Sequence, residues 1–189
     1  MGTEGTKRPR RARGRGGAGD HLDLRRFLFK RELHKSQRVV LSSLRAGNSV
    51  LAVMATGRGK SLTFQVHAAC EALAHHTASL FVYPLRALIA DQAFHINEAL
   101  APFGINACTL TGESAPDERR QVFAGLADGS VDIVLTTPEF LVCHAPEFAA
   151  VGRIGFVVVD EAHHIGLSRA GHRPAYAQLG SAIAQMGNP

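Results

Sequence analysis

Five short runs rich in Val, Ile and Leu, residues 50–54, 79–83, 106–111, 131–135 and 154–160, alternate along the chain with stretches of helical period. Each run is too short for a helix and is bounded by turn-forming residues, the pattern of a strand buried on both faces. Helices are expected over residues 24–33, 37–45, 61–75, 85–100, 117–126, 138–143 and 175–186. In the second of these Val40 and Leu44 share a face and Gly47 provides the stop; in the fifth Pro116 suits the first turn and Gly129 the end. Strands that alternate with helices in this way predict an α/β domain, a parallel sheet with helices on both faces. Sites in such folds lie at the carboxyl ends of strands, so the polar residues just after each run carry the functional information.

The first run leads into Ala55-Thr56-Gly57-Arg58-Gly59-Lys60-Ser61 and then into a helix-compatible segment. Strand, glycine loop, Lys-Ser and helix together can cradle phosphate: the glycines let backbone N–H groups approach the oxygens, the helix start adds its dipole, and Lys60 adds a full charge. Thr56, Gly57, Arg58, Gly59, Lys60 and Ser61 are therefore candidate nucleotide-binding residues, with the Ser61 hydroxyl on a magnesium ion. Met54 stands where the strict P-loop pattern has glycine, and a solvated Gly-Arg-Gly-Lys loop is the plainer alternative.

The last run ends in Asp160-Glu161-Ala162-His163. Charge shifts during γ-phosphate transfer need a metal, which Asp160 can hold directly or through water; Glu161 can orient and deprotonate the attacking water, and His163 can sense the γ-phosphate or pass the signal to a neighbouring domain. The plain alternative is a pair of carboxylates at a helix start beside a turn histidine. His75, His76 and His164 fall in no zinc-like spacing.

The net charge of +5 belongs to one end: residues 1–19 hold six of the 21 basic and one of the 16 acidic side chains, so residues 20–189 carry fifteen of each. This Arg- and Gly-rich tail has almost nothing apolar to bury and is expected to be disordered, either adding salt-sensitive affinity for phosphate backbones or serving only as a solubilising extension. It lacks the apolar segment of a secretory signal, and no run approaches membrane-spanning length. Cys70, Cys108 and Cys143 read as reduced thiols, so a cytoplasmic protein without a membrane partner is expected, nucleoid association being open.

Together these residues resemble the first RecA-like domain of a superfamily 2 helicase of the DEAH type, and specifically the RecQ family. Residues 54–61 and Asp160-Glu161-Ala162-His163 match the two nucleotide motifs, and Leu33-His34-Lys35-Ser36-Gln37 is similar to the family's adenine-reading motif, which ends in glutamine. Pro84-Leu85-Arg86-Ala87-Leu88-Ile89-Ala90-Asp91-Gln92 is similar to motif Ia, Thr137-Pro138-Glu139 to the Thr-Pro-Glu element, and Arg173-Pro174-Ala175-Tyr176 to the end of the family's aromatic-rich loop. Where the family carries stacking residues this chain has Lys30, His34, Ser168 and His172, which weakens base stacking on both the adenine and the nucleic acid.

The resemblance implies a RecA-like P-loop NTPase domain over residues 20–189 that binds ATP and Mg2+. Catalysis would rest on Lys60, Asp160, Glu161 and His163, adenine contact on Gln37, and metal binding on Ser61 and Asp160. Pro84, Leu85, Arg86, Gln92, Thr137, Pro138, Glu139 and Arg173 would face single-stranded or forked DNA. In the family's sheet order the strand that carries motif III lies between the P-loop strand and the DEAH strand, and a second RecA-like domain follows. Neither is found before Pro189, so the domain is expected to be incomplete, to leave two strands without their neighbour, and to need its second domain in cis or in trans. An RNA-dependent ATPase of the DEAD-box kind and a non-catalytic nucleotide- or nucleic-acid-binding module remain as alternatives.

Overall fold

Four strands, β1 (Ala78–Val82), β2 (Ala107–Leu110), β3 (Ile133–Thr136) and β4 (Ile154–Val159), form one wholly parallel sheet in the order β2-β3-β1-β4. The computed structural model describes residues 33–54, 59–165 and 174–189. The expected tail at residues 1–19, and all but the last residue of the helix expected at 24–33, lie outside them. Every residue of β1 is buried, as its central place requires.

Seven α-helices are described: α1 (Lys35–Arg45), α2 (Lys60–His75), α3 (Arg86–Leu100), α4 (Pro116–Asp128), α5 (Pro138–Cys143), α6 (Ala145–Val151) and α7 (Pro174–Gln185). They divide between the faces as the alternation of strand side chains dictates. Phe81, Ile133 and Leu135 pack with Leu41 of α1, Val66 and Ala69 of α2 and Ile89, Ala93 and Ile96 of α3. Leu80, Val82, Leu110 and Val134 pack on the other side with Val122 and Leu126 of α4, Phe140 of α5, Phe148 of α6 and Leu179 of α7. Helices thus cover both faces. Sequence reading did not anticipate α6; it is seven residues long, follows α5 after a single residue, and buries only Ala145 and Phe148, too few apolar positions for a period to show.

The strand expected at residues 50–54 is not formed. Those residues are irregular, and Leu51 and Val53 are 81% and 91% exposed. The physical reason lies in the sheet. β4 is an edge strand, and among the described residues nothing pairs with its outer side. In the sheet order implied by the resemblance, residues 50–54 would lie one strand beyond that edge; without an intervening ladder a β-branched run has no backbone partners.

Candidate functional site

Gly59 caps the amino end of α2 with a left-handed backbone, φ +73°. Its carbonyl accepts from Thr63 N at 3.2 Å and Thr63 Oγ1 at 2.9 Å, closing the first helical turn. It also accepts from Gln37 Nε2 at 3.3 Å, while Gln37 Oε1 accepts from His34 N at 2.9 Å. The Gln37 amide, only 4% exposed, thereby ties the start of α1 to the start of α2. A Cβ at position 59 would stand 2.5 Å from Gln37 Nε2, so the close approach needs glycine for space as well as for φ. Lys60 opens the sixteen-residue α2 half-buried and Ser61 is exposed. Free N–H groups in that first turn, the helix dipole and the Lys60 ammonium make this end anion-attracting. Thr56, Gly57 and Arg58 lie outside the described residues, as does Arg173.

Asp160 follows β4, its N–H donating to Val82 O at 2.9 Å, so the β1–β4 ladder fixes its height. Phe156 and Val158 pack on the α1–α3 side of the sheet, and strand alternation sets Asp160 on that side too, the side of Lys60 and Ser61. Its carbonyl accepts from the Tyr176 hydroxyl of α7 at 3.3 Å. Among the described residues its carboxylate has no hydrogen-bond or ion-pair partner.

Glu161 holds a left-handed φ of +51°, uncommon for a side chain without the short polar group of Asn or Asp. Its Oε2 lies 3.0 Å from His163 Nδ1, and the His163 ring stacks at 4.2 Å on His164, which in turn meets Tyr176 at 5.2 Å. The backbone turn swings Glu161 out of the strand alternation that sets Asp160.

No three His, Cys, Asp or Glu side chains converge on a metal site among the described residues. A hard cation such as magnesium does not need such a cage: one carboxylate and one hydroxyl, with phosphate oxygens and water, is an ordinary donor set for it. An Asp160 carboxylate without a hydrogen-bond or ion-pair partner among the described residues, on the side of the sheet where α2 carries Ser61, fits that set.

The residues expected to face nucleic acid separate into two kinds. Pro84, Thr137 and Pro138 are buried, and Thr137 Oγ1 accepts from Phe140 N at 3.2 Å as the cap of α5. In this fold these three shape the edge, and the Thr137 hydroxyl is engaged as an N-cap. Leu85, Arg86 and Glu139 face solvent and Gln92 is half-buried. The exposed Arg86 guanidinium pairs with Glu113. Arg119, not singled out in the sequence, braces the loop after β2 by donating to Ser114 O at 2.8 Å and Gly112 O at 3.0 Å, and its guanidinium lies 5.4 Å over Phe140.

Tyr83, also unmarked in the sequence, follows β1 and is 3% exposed; burial and the neighbouring Asp160 carboxylate both push its phenol well above the ordinary range. An aromatic at the end of an apolar run reads as core, and only the register beside Asp160 distinguishes it.

Residues 34–188 match the model of the DEAD/DEAH box helicase family. The chain is 33% identical over 149 residues to an ATP-dependent DNA helicase RecQ of Haemophilus influenzae, covering 77% of this chain and 22% of that protein. It is 34% identical over 170 residues to the enzyme of the same name from Pasteurella multocida, covering 84% and 24%. The chain thus spans about a quarter or less of the curated relatives it matches. Its fold is similar to that of the DUF1998 helicase MrfA, with a TM-score of 0.72 at 21% identity over 90% of this chain and 26% of that one. A hypothetical ATP-dependent RNA helicase from Sulfolobus tokodaii gives 0.65 at 19% identity over 91% and 48%. No described helix is long and apolar enough to cross a membrane.

Proposed function

The chain belongs to the DEAD/DEAH box helicase family, and from that membership we propose that residues 20–189 are the first RecA-like, ATP-binding unit of a RecQ-like ATP-dependent DNA helicase. What supports the reading is the placement of two opposite charges on one side of the sheet: Lys60 at the head of α2, which packs on the α1–α3 side, and Asp160 after β4, whose carboxylate has no hydrogen-bond or ion-pair partner among the described residues.

In this reading Lys60 and the first-turn amides of α2, with Thr56, Gly57, Arg58 and Gly59, bind the β- and γ-phosphates of ATP. Ser61 and Asp160 would hold a magnesium ion, which supplies neutralisation of the phosphate charge. Glu161 takes a proton from the attacking water, and His163, 3.0 Å from its carboxylate, orients it. Gln37 reads the adenine edge while its Gly59 contact reports the loop's position to α1. Leu85, Arg86, Gln92, Glu139 and Arg173 line the path of a DNA strand over a surface shaped by Pro84, Thr137 and Pro138, gripping backbone without reading sequence. A second RecA-like domain would complete the hydrolytic site, since an arginine finger from a partner contributes on the order of a thousandfold or more in related phosphoryl transfers.

A second reading, a unit that binds nucleotide without turning it over, is favoured by the outer edge of β4, unpaired among the described residues, and by the exposure of Leu51 and Val53. Binding of a labelled ATP analogue with and without Lys60→Ala tests the first part of both: tight magnesium-dependent binding lost in the variant supports the site, and no binding by the unaltered chain refutes it. ATPase stimulation by single-stranded DNA against RNA, in a protein extended through the second domain, separates a DNA helicase from an RNA-dependent enzyme, and no turnover with either leaves the binding unit.

A further inference from the structure

Tyr83 is the residue that the proposed site does not yet use. Its ring packs in the cluster formed by Leu41, Val66, Ile89 and Ala93, and its hydroxyl is buried with no hydrogen-bond partner among the described residues. Phenylalanine would fill the same space. Buried polar atoms almost always have a partner, so an orphaned O–H asks which acceptor it is set to meet.

The register answers. Val82 pairs with Val159 across the parallel ladder, and the next hydrogen bond runs from Asp160 N to Val82 O. Tyr83 therefore stands beside Asp160, one strand spacing or about 4.8 Å away. Both residues follow partners on the α1–α3 face, Phe81 before Tyr83 and Val158 before Asp160. On the other flank Tyr83 N donates to Thr136 O at 2.9 Å, which fixes its backbone between β3 and β4. The phenol is a donor; the carboxylate can only accept, and the charge of Asp160 already acts on the phenol.

We propose that Tyr83 is a positioning residue whose hydroxyl donates to the Asp160 carboxylate, or to a water that it holds, and so fixes the orientation in which that carboxylate receives a metal-bound nucleotide. The inference deepens the nucleotide-binding reading and rests on it. Tyr83 touches no reacting atom: its effect passes through Asp160, and a fixed donor leaves fewer orientations for the carboxylate to sample.

The test is the gain in affinity for fluorescent ADP that magnesium gives over EDTA, measured on the 189-residue chain without turnover. In Tyr83→Phe this gain falls on the order of tenfold, as for an outer partner of a metal ligand. Affinity in EDTA is unchanged, whereas a merely structural Tyr83, whose space phenylalanine fills, would leave the magnesium gain unchanged as well. In an Asp160→Asn background Tyr83→Phe has no further effect. A magnesium gain in Tyr83→Phe equal to that of the unaltered chain overturns the assignment alone, as does an equal loss in both backgrounds. An unaltered chain that binds no nucleotide overturns the nucleotide reading and the assignment with it.

Discussion

Gln37 donates its side-chain amide to the carbonyl of Gly59 across 22 residues of sequence, at 3.3 Å, in a contact that would be filled by any Cβ at position 59. Gly59→Ala therefore meets two costs, a left-handed backbone of about 1–2 kcal/mol and displacement of the Gln37 amide. Gln37→Ala opens the space but leaves the backbone cost. Urea midpoints of the two single variants and the double should show the double losing less than the sum of the singles, the signature of a shared contact; strict additivity would mean that the two residues do not press on one another.

Glu161 combines a proposed catalytic role with a backbone that glycine would adopt more readily. Glu161→Gly should raise unfolding stability by about 1 kcal/mol through relief of the left-handed strain, whereas Glu161→Gln, with the same φ, should leave stability unchanged. Both should abolish ATP hydrolysis in a protein extended through the second domain. If Glu161→Gly is the less stable of the two, the positive φ is not a source of strain.

Arg86, proposed to meet a DNA phosphate, pairs at the surface with the Glu113 carboxylate, which on that proposal competes with the phosphate. Being exposed it contributes little stability, about 0–1 kcal/mol, so its removal should register in binding rather than in folding. Glu113→Gln should tighten binding to a labelled single-stranded oligonucleotide, and Arg86→Ala should weaken it and reduce the log–log salt slope by about 0.7, one single-strand phosphate contact. Anisotropy titrations at several salt concentrations give both quantities; weaker binding by Glu113→Gln would show the pair to be a prerequisite of the site rather than a competitor.

What the sequence disclosed followed from how local each signal is. Four of the five strands and the two-sided helical cover were legible because apolar runs and helical periods are written within a few residues of themselves. Residues 50–54 carried an equally good strand pattern, yet a strand exists only through its neighbour, and no local pattern reports that the adjacent ladder is open. Asp160, Glu161 and Lys60 were legible as charged residues at strand and helix ends. Tyr83 was not, since its interest lies in a cross-strand register. Thr137 is ambiguous in the sequence, because Thr-Pro-Glu is also the spelling of an N-cap followed by proline at N1, and its hydroxyl does accept the N-cap bond.

His67 of α2 is buried against the Phe156 ring at 4.7 Å, and burial lowers its pKa from the ordinary 6.5, with Glu71 opposing and Arg45 adding to the shift. Below pH 6.5 the unfolded chain binds a proton that the folded chain refuses, so the unfolded state is favoured as the pH falls from there through the lower folded value; above pH 6.5 both states are neutral and the full stability is present. Unfolding free energy measured in urea should therefore decline on acidification across this window. His67→Phe, which keeps a ring against Phe156 and removes the titrating group, should flatten that part of the profile, while Glu71→Gln, which removes the one carboxylate that favours the charged imidazole, should steepen it. An unaltered slope in His67→Phe would assign the acid sensitivity to another group.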